Sequence, residues 1–173
     1  LDGARIWNAM TATQTEPTFY SRISDTMSVC FSKGLGAPVG SMILSSQENI
    51  TKARRMRKMW GGGMRQIGML AAAADYAVGH HLENLEEDHR RARELSEVIN
   101  RCSGLTIDLG AVETNILIFD VKGMSAREAV KKLANNGIKL VPFGPKTLRA
   151  TFHFQITDED LNKVKTVFNQ LFD

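Results

Sequence analysis

A single lysine stands between an apolar run and a glycine-rich bend, in the segment Ser-Lys-Gly-Leu-Gly-Ala-Pro-Val-Gly that runs from residue 32 to 40. Its amine is the group in this chain best suited to covalent chemistry. Proline fixes its own φ, and glycine accepts backbone angles that other residues avoid, so this bend fixes where Lys33 points. A lysine held in this way can form a Schiff base with an aldehyde if its neighbours lower its proton affinity. The alternative is an ordinary solvated lysine beside a turn.

The residues on either side of the bend predict the elements that hold it. The run Thr-Met-Ser-Val-Cys-Phe at 26–31 is typical of a buried strand, and Ser41 to Leu44 predicts a second one. Lys33 is therefore expected on a turn between two strands.

Two further charges near the start of the chain suit a pyridoxal cofactor and an amino-acid substrate. Such a cofactor needs a carboxylate beside its ring nitrogen, because the protonated ring accepts the electrons of the substrate carbanion. Asp2 is the candidate for this role, although it could instead cap the helix that follows. A substrate carboxylate needs the planar fork of a guanidinium, for which the candidates are Arg5 and Arg149. Arg5 could also be a surface residue.

Arg149 lies in a predicted strand whose neighbours Leu148 and Ala150 face the other side of the sheet, so its charge needs a partner. Lys58 and Arg65 flank three consecutive glycines, where the start of a helix could receive an anion. These two cations suit a phosphate or a neighbouring subunit's site, and an interface or surface role is the open alternative.

Four sequence blocks together resemble the L-threonine aldolases, which are pyridoxal-phosphate enzymes of the aspartate aminotransferase structural class. The blocks follow the order of that family and extend over essentially the whole chain. They are Leu-Asp-Gly-Ala-Arg at 1–5, Ser-Val-Cys-Phe-Ser-Lys-Gly-Leu-Gly-Ala-Pro-Val-Gly-Ser at 28–41, Arg-Lys-Met-Trp-Gly-Gly-Gly-Met-Arg-Gln at 57–66, and Leu-Arg-Ala-Thr-Phe-His at 148–153.

The resemblance implies an α/β fold of two parts. Residues 1–80 would be the remainder of the large, cofactor-binding domain of a fold type I pyridoxal-phosphate enzyme, and residues 81–173 its small C-terminal α+β domain. It also implies that the chain is the C-terminal part of a longer enzyme, which is a homotetramer in this family. A fragment without activity, serving only as a binding or structural piece, is the alternative.

The implied reaction is the retro-aldol cleavage of L-threonine or L-allo-threonine to glycine and acetaldehyde, which makes the chain part of an aldehyde-lyase. A related lyase that eliminates a β substituent would use the same lysine and remains an alternative. The resemblance assigns the site by role. The catalytic residue is Lys33, the cofactor-binding residues are Asp2, Lys33, Arg5 and Arg65, and the substrate-binding residues are Arg5, Arg149 and Lys58.

Composition excludes several other classes. A net charge of +3, without basic residues that alternate with aromatic ones, predicts no nucleic-acid partner, and no apolar run has the length of a membrane span. Two cysteines form no disulfide framework, which favours a cytoplasmic protein. His80, His81 and His89 do not have the spacing of a metal site, and a solvated helix is expected there.

Local signals predict the remaining elements. Ser125 with Glu128, and Thr157 with Asp160, have the spacing of helix N-terminal caps. Asn-Gly at 136–137 is expected to end the first of these helices. The alanine- and methionine-rich segment 64–78 predicts a buried helix, and a change to charged composition near residue 79 predicts the domain boundary.

Overall fold

The computed structural model describes all 173 residues, which divide into two compact units, Leu1–Leu85 and Glu86–Asp173. We call these the first and second units. Both mix helices with strands, so the predicted α/β class is confirmed. None of the helices is both long enough and apolar enough to cross a membrane.

The first unit is built on a three-stranded sheet. Strand β1 pairs in parallel with β2, with Asp2 opposite Ser28, and β2 pairs antiparallel with β3. The turn that carries Lys33 connects β2 to β3, as predicted. The elements are β1 (Asp2–Gly3), α1 (Ile6–Thr13), α2 (Pro17–Arg22), β2 (Thr26–Cys30), β3 (Ser41–Ser45), α3 (Gln47–Met59) and α4 (Gly68–His80).

Two small apolar clusters support this sheet. Met27 and Val29, on one face of β2, pack with Ile6 of α1 because alternate residues of a strand face the same side. The second cluster forms around Leu35, which packs with Ala77 of α4 and with Leu85. The turn after β2 is thus attached to the helices of its own unit by buried side chains.

The prediction of a buried helix over residues 64–78 is wrong in two respects. Helix α4 begins only at Gly68, and Gln66 just before it has a φ of 51°, a left-handed angle that a right-handed helix does not contain. Of its residues only Ala77 is buried, and Met69 is 85% exposed. Apolar side chains on nearly all sides of the helix leave no polar face, so composition alone does not define which side packs inward.

The glycine run after α3 is a helix stop. The N–H of Gly61 donates to the carbonyl of Lys58 at 3.2 Å, and the N–H of Gly62 donates to the carbonyl of Arg57 at 2.8 Å. Gly61 has a φ of 76°, so this is the Schellman arrangement, which satisfies the last carbonyls of a helix. The turn fixes the direction in which the chain leaves α3.

The second unit is an antiparallel sheet of order β4-β5-β7-β6, covered on one face by helices. One continuous core joins α5, α6 and α7 to the inner face of the sheet, and Phe168, Leu133 and Leu148 at its centre are fully buried. The elements are α5 (Asn84–Arg101), which begins at the end of the first unit, β4 (Leu105–Ile107), a 3₁₀ turn (Leu109–Ala111), β5 (Ile116–Val121), α6 (Ala126–Asn135), β6 (Val141–Pro142), β7 (Thr147–Thr151) and α7 (Asp158–Phe172).

Both predicted helix caps of the second unit are confirmed as reciprocal capping boxes. The Ser125 hydroxyl accepts from the N–H of Glu128, and the Glu128 carboxylate accepts from the N–H of Ser125 at 2.8 Å. Thr157 and Asp160 repeat this arrangement at α7. Each box satisfies two backbone donors that the first turn of a helix leaves without partners.

Ion pairs join α5 to α7 at the surface of the second unit. The Asp158 carboxylate accepts from Arg90 at 2.6 Å and from Arg91 at 2.8 Å, while Lys165 donates to Glu94 at 2.6 Å. Two arginines on one carboxylate hold the pKa of Asp158 below its usual value. Isolated exposed pairs stabilise little, but a shared network fixes where α7 begins against α5.

Candidate functional site

The backbone around Lys33 is closed by three hydrogen bonds. The N–H of Gly36 donates to the Lys33 carbonyl at 2.9 Å, which makes residues 33–36 a β-turn. At the base of the bend, the N–H of Ala37 donates to the Phe31 carbonyl at 3.0 Å, and the N–H of Phe31 donates to Gly40 at 3.0 Å. Gly36 has a φ of 69°, which glycine adopts without strain. The chain at Lys33 therefore has a defined course.

Leu35 anchors this turn to the rest of the first unit in two ways. Its side chain is fully buried in the cluster that includes Ala77 and Leu85. Its carbonyl oxygen lies 2.7 Å from His81 Nδ1, at the C-terminal end of α4. A carbonyl oxygen can only accept, so Nδ1 carries the hydrogen of this bond.

Gly34 permits a close approach that no other residue allows. A Cβ at this position would lie 2.9 Å from Asn8 Oδ1 and 2.9 Å from Leu85 Cδ2, closer than real contacts of this kind. Asn8 is itself 1% exposed, so it has little room to move. Although its backbone neighbours are held tightly, the Lys33 side chain is exposed, which leaves its amine available to a ligand.

Asp2 lies in β1, and Arg5 lies in the turn that follows it. Strand β1 is the neighbour of β2, the strand that leads to Lys33. Because β1 and β2 are parallel, the residues that follow them, Arg5 and Lys33, lie at the same edge of the sheet. The Asp2 carboxylate accepts from the N–H of Ala4 at 3.0 Å, which fixes its orientation. Trp7 reinforces this edge, since its Nε1–H donates to the Cys30 carbonyl at 2.9 Å.

Lys58 and Arg65 lie farther along the first unit. Lys58 is in the last turn of α3, and Arg65 follows the glycine stop. Both side chains are exposed, and neither makes a hydrogen bond or an ion pair. The structure leaves both cations available to an anion, and no contact joins them to Lys33.

Arg149 is an isolated cation on the outer face of the second unit's sheet. Its neighbours Leu148 and Ala150 are buried on the opposite face, as predicted, and its cross-strand partners are Ile118 and Val141. Its guanidinium carbon lies 5.6 Å from the centre of the Phe143 ring, within cation–π range. Its Nε is buried and has no hydrogen-bond partner, so the group is ready to receive a carboxylate.

The sequence did not predict three residues that contact the Lys33 turn or Arg149. His81 was expected to be solvated, but it is half-buried and hydrogen-bonded to the Lys33 turn. No local sequence pattern indicated a role for Asn8 or Phe143. Each contacts residues remote in the chain or across a hairpin, and local periodicity does not encode such contacts. The only available hint was that polar Asn8 stands in the apolar context of α1.

Asp88 and His89 are buried titratable groups outside the candidate site. Burial raises the pKa of Asp88 to about 6, against the opposing influence of Arg91, and neither of its carboxylate oxygens has a hydrogen-bond partner. Burial also lowers the pKa of His89. Both residues lie in α5.

An apolar groove of about 660 Å³ lies on the first unit. It lies between β3 and α3, where Met42, Ile43, Met56 and Trp60 line it, and it contains none of the predicted site residues. No group of His, Cys, Asp and Glu side chains in the chain could hold a metal ion.

The residues present fit pyridoxal phosphate. An exposed amine stands on a closed turn, and an oriented carboxylate lies on the neighbouring parallel strand, at Lys33 and Asp2. Unpaired cations in the same unit, Lys58 and Arg65, could take the phosphate, and Arg149 offers an unpaired guanidinium to a substrate carboxylate. The donor set of the first unit matches an aldehyde, a ring nitrogen and a phosphate, and Arg149 of the second unit separately suits a carboxylate.

Relatives of known name match nearly the whole chain. It is 41% identical to low-specificity L-threonine aldolase 1 of Arabidopsis thaliana, covering 98% of this chain and 48% of the relative. It is 36% identical to low specificity L-threonine aldolase of Escherichia coli O157:H7, and this match covers 95% of this chain and 48% of the relative. These matches confirm the resemblance predicted from the four blocks. The chain spans about half the length of the curated relatives it matches.

Solved structures share the fold. A protein from Listeria monocytogenes EGD-E, provisionally named an L-allo-threonine aldolase, superposes with a TM-score of 0.80 at 22% identity, covering 98% of this chain and 51% of that one. A phosphoserine aminotransferase from Cytophaga hutchinsonii superposes with a TM-score of 0.60 at 12% identity, and the superposition covers 86% of this chain and 50% of that one. At such low identities the superpositions establish the fold alone, which is fold type I.

The family assignment rests on a match to most of the chain. The family model described as beta-eliminating lyase matches residues 1–122, a range that includes the Lys33 turn, β1 and the glycine stop after α3. Beta-eliminating lyases and threonine aldolases depend on pyridoxal phosphate, in agreement with the donor set found here. The chain belongs to the beta-eliminating lyase family.

Proposed function

We propose that this chain is part of a pyridoxal-phosphate-dependent aldehyde-lyase that cleaves L-threonine and L-allo-threonine to glycine and acetaldehyde. The observation that carries the proposal is the Lys33 turn, which combines a closed backbone with an exposed amine. Relatives that match almost the whole chain bear the name of low-specificity L-threonine aldolases, which supports this choice of substrate.

The first unit would hold the cofactor. When bound, pyridoxal phosphate supplies a conjugated ring that accepts electrons released at the substrate's α carbon. Lys33 would bind the cofactor aldehyde through Nζ, and Asp2 would hold a proton on the ring nitrogen. Arg5, at the same sheet edge, and Arg65 would contribute positive charge to the bound cofactor and its phosphate.

Three cations would orient the substrate. Arg149 and Arg5 would bind its carboxylate, because the two parallel hydrogen bonds of a guanidinium fix the orientation of the α carbon, and Lys58 would add charge beside it. In the reaction the bond between the α and β carbons breaks. The β-hydroxyl loses its proton, acetaldehyde leaves, and the α carbon gains a proton to give glycine.

Replacement of Lys33 tests this proposal on the full-length protein. Lys33→Ala should abolish acetaldehyde formation from threonine and remove the visible absorbance of bound cofactor. Borohydride reduction of the wild-type protein with pyridoxal phosphate, followed by peptide mapping, should place the adduct on Lys33. The exposed Lys131 provides the matched control, Lys131→Ala, which should retain both properties. An adduct on another lysine, or normal absorbance in Lys33→Ala, would refute the assignment.

Elimination of a β substituent is the second candidate, supported by the description of the matching family model. It would use the same Lys33, Asp2 and Arg149. Product analysis separates the two reactions, because aldol cleavage of threonine gives glycine and acetaldehyde, whereas β-elimination from serine or tryptophan gives pyruvate and ammonia.

We further propose that the intact enzyme is a homotetramer in the cytoplasm, with residues 1–80 as the remainder of the large domain and 81–173 as the small domain. Exposed apolar side chains of the first unit, among them Met59, Trp60 and Met69, supply surface suited to association between subunits. Two free cysteines, Cys30 and Cys102, are typical of a reducing compartment.

A further inference from the structure

We propose that His81 is a positioning residue for Lys33. Its Nδ1–H holds the Leu35 carbonyl and thereby fixes the turn from which the lysine amine reaches the cofactor. This inference rests on the proposed function, because it assigns to His81 a task that exists only if Lys33 binds pyridoxal phosphate.

The turn transmits this contact to Lys33 by its geometry. Residues 33–36 form the β-turn closed by the bond from the Gly36 N–H to the Lys33 carbonyl, and Leu35 is the third residue of that turn. Rotation of the peptide group after Leu35 would move the Gly36 N–H away from the Lys33 carbonyl. The hydrogen bond of 2.7 Å from His81 opposes that rotation.

The buried Leu35 side chain alone does not supply this restraint. It fixes the position of the residue among Ala77 and Leu85, but a buried side chain leaves the adjacent peptide group able to rotate. The carbonyl is held by a residue 46 positions away, at the end of α4. Side-chain burial and the histidine bond therefore restrain different degrees of freedom of one residue.

The neighbouring His80 offers a natural control. Its Nδ1 lies 2.9 Å from the Tyr76 carbonyl within its own helix, and its ring stacks on that of Tyr76 with centroids 4.0 Å apart. It is exposed, whereas His81 is half-buried. The two histidines are adjacent, of the same type and in the same helix end, but only the His81 bond reaches the Lys33 turn.

Three variants separate positioning from general stability. His81→Leu removes the donor, and His81→Asn retains an N–H donor near the place of Nδ1, because the asparagine amide nitrogen lies at the same number of bonds from Cα. His80→Leu removes an imidazole of equal size from the same helix end. All three are to be made in the full-length protein, and the denaturation midpoint of each variant is to be measured first.

The first readout needs no cofactor. Hydrogen exchange of the Gly36 amide reports the closure of the turn directly, because that amide bonds to the Lys33 carbonyl. His81→Leu should accelerate this exchange about tenfold, as expected from the loss of roughly 1.4 kcal/mol. His81→Asn should restore most of the protection, and His80→Leu should exchange like the wild-type protein.

The second readout is the affinity for pyridoxal phosphate, measured by titration of the visible absorbance. His81→Leu should bind about tenfold more weakly, with His81→Asn intermediate and His80→Leu unchanged. Unchanged exchange in His81→Leu, or equal acceleration in His80→Leu, would overturn the inference, as would faster exchange with wild-type affinity. A wild-type protein that does not bind the cofactor would refute the proposed function itself, and this role with it.

Discussion

The two units of the chain bury their apolar side chains to different extents. The second unit has one continuous core between its sheet and three helices, and the side chains at its centre, such as Phe168 and Leu133, are fully buried. The first unit has two small clusters, and large apolar side chains remain on its surface, among them Ile43 at 51%, Trp60 at 76% and Met69 at 85% exposure.

Helix ends show the same contrast. In the second unit α6 and α7 both begin with reciprocal capping boxes. In the first unit α1, α2 and α4 begin without a side-chain cap, and Ser46 before α3 accepts a long bond of 3.4 Å from Asn49. The second unit is therefore stabilised by one large core and by two capped helices, whereas the first unit relies on two small clusters, one around Leu35 and one around Val29.

The largest expected difference between the units concerns the core. Phe168→Ala should lower the free energy of unfolding of the second unit by about 3–5 kcal/mol, because it removes a fully buried ring at the centre of the core. Phe19→Ala, at a side chain 51% exposed in the first unit, should cost under about 1 kcal/mol. Chemical denaturation of the two variants measures both effects, and similar losses would contradict the contrast.

Asp88 should make the stability of the second unit depend on pH. Its pKa is raised from 3.8 to about 6 in the folded chain, so folding favours the protonated acid. The stability it contributes is fully present below pH 3.8 and is lost as the pH rises through 6.

Asparagine stays neutral at both pH values. The free energy of unfolding of Asp88→Asn should therefore exceed that of the wild-type protein by about 2 kcal/mol more at pH 7 than at pH 4. Denaturation series at the two pH values provide the measurement. His89 remains in both proteins, so its own titration cancels in the comparison. A difference that does not change with pH would show that Asp88 is ionised without penalty in the folded state.

Helix capping should give the smallest difference. Ser125→Ala removes one side of a capping box and should cost about 1 kcal/mol. Ser46→Ala removes only the long bond to Asn49 in the first unit and should cost less than half as much. Amide exchange in α6 and α3 would measure each loss locally. An equal loss at both helices would show that the two units do not differ in how strongly their helices are capped.

Local sequence signals predicted much of the fold correctly. The strands on either side of Lys33, the turn between them, both capping boxes and the Asn-Gly stop after α6 all depend on residues within one or two turns of each other. The N–H of Gly137 donates to the Ala134 carbonyl at 3.0 Å, and that of Ile138 to Leu133 at 3.0 Å, as the glycine signal implied.

Tertiary contacts could not be predicted in this way. The sequence predicted the turn that carries Lys33 but not the contacts that support it, because the bond from His81 to Leu35 and the approach of Asn8 to Gly34 join residues far apart in the chain. The exposure of α4 was missed for a related reason. Its composition is apolar all round, and only the packing of the unit determines which side is covered.

The indole of Trp7 makes the Lys33 turn accessible to optical measurement. The chain has two tryptophans, and Trp7 lies beside the end of β2, with its N–H on the Cys30 carbonyl and its ring 6.3 Å from that of Phe31. Trp60 is mostly exposed and far less informative about this turn. Replacing Trp60 with phenylalanine would leave Trp7 as the one tryptophan of these 173 residues, and its emission would report the arrival of a light-absorbing ligand at the lysine without any added label.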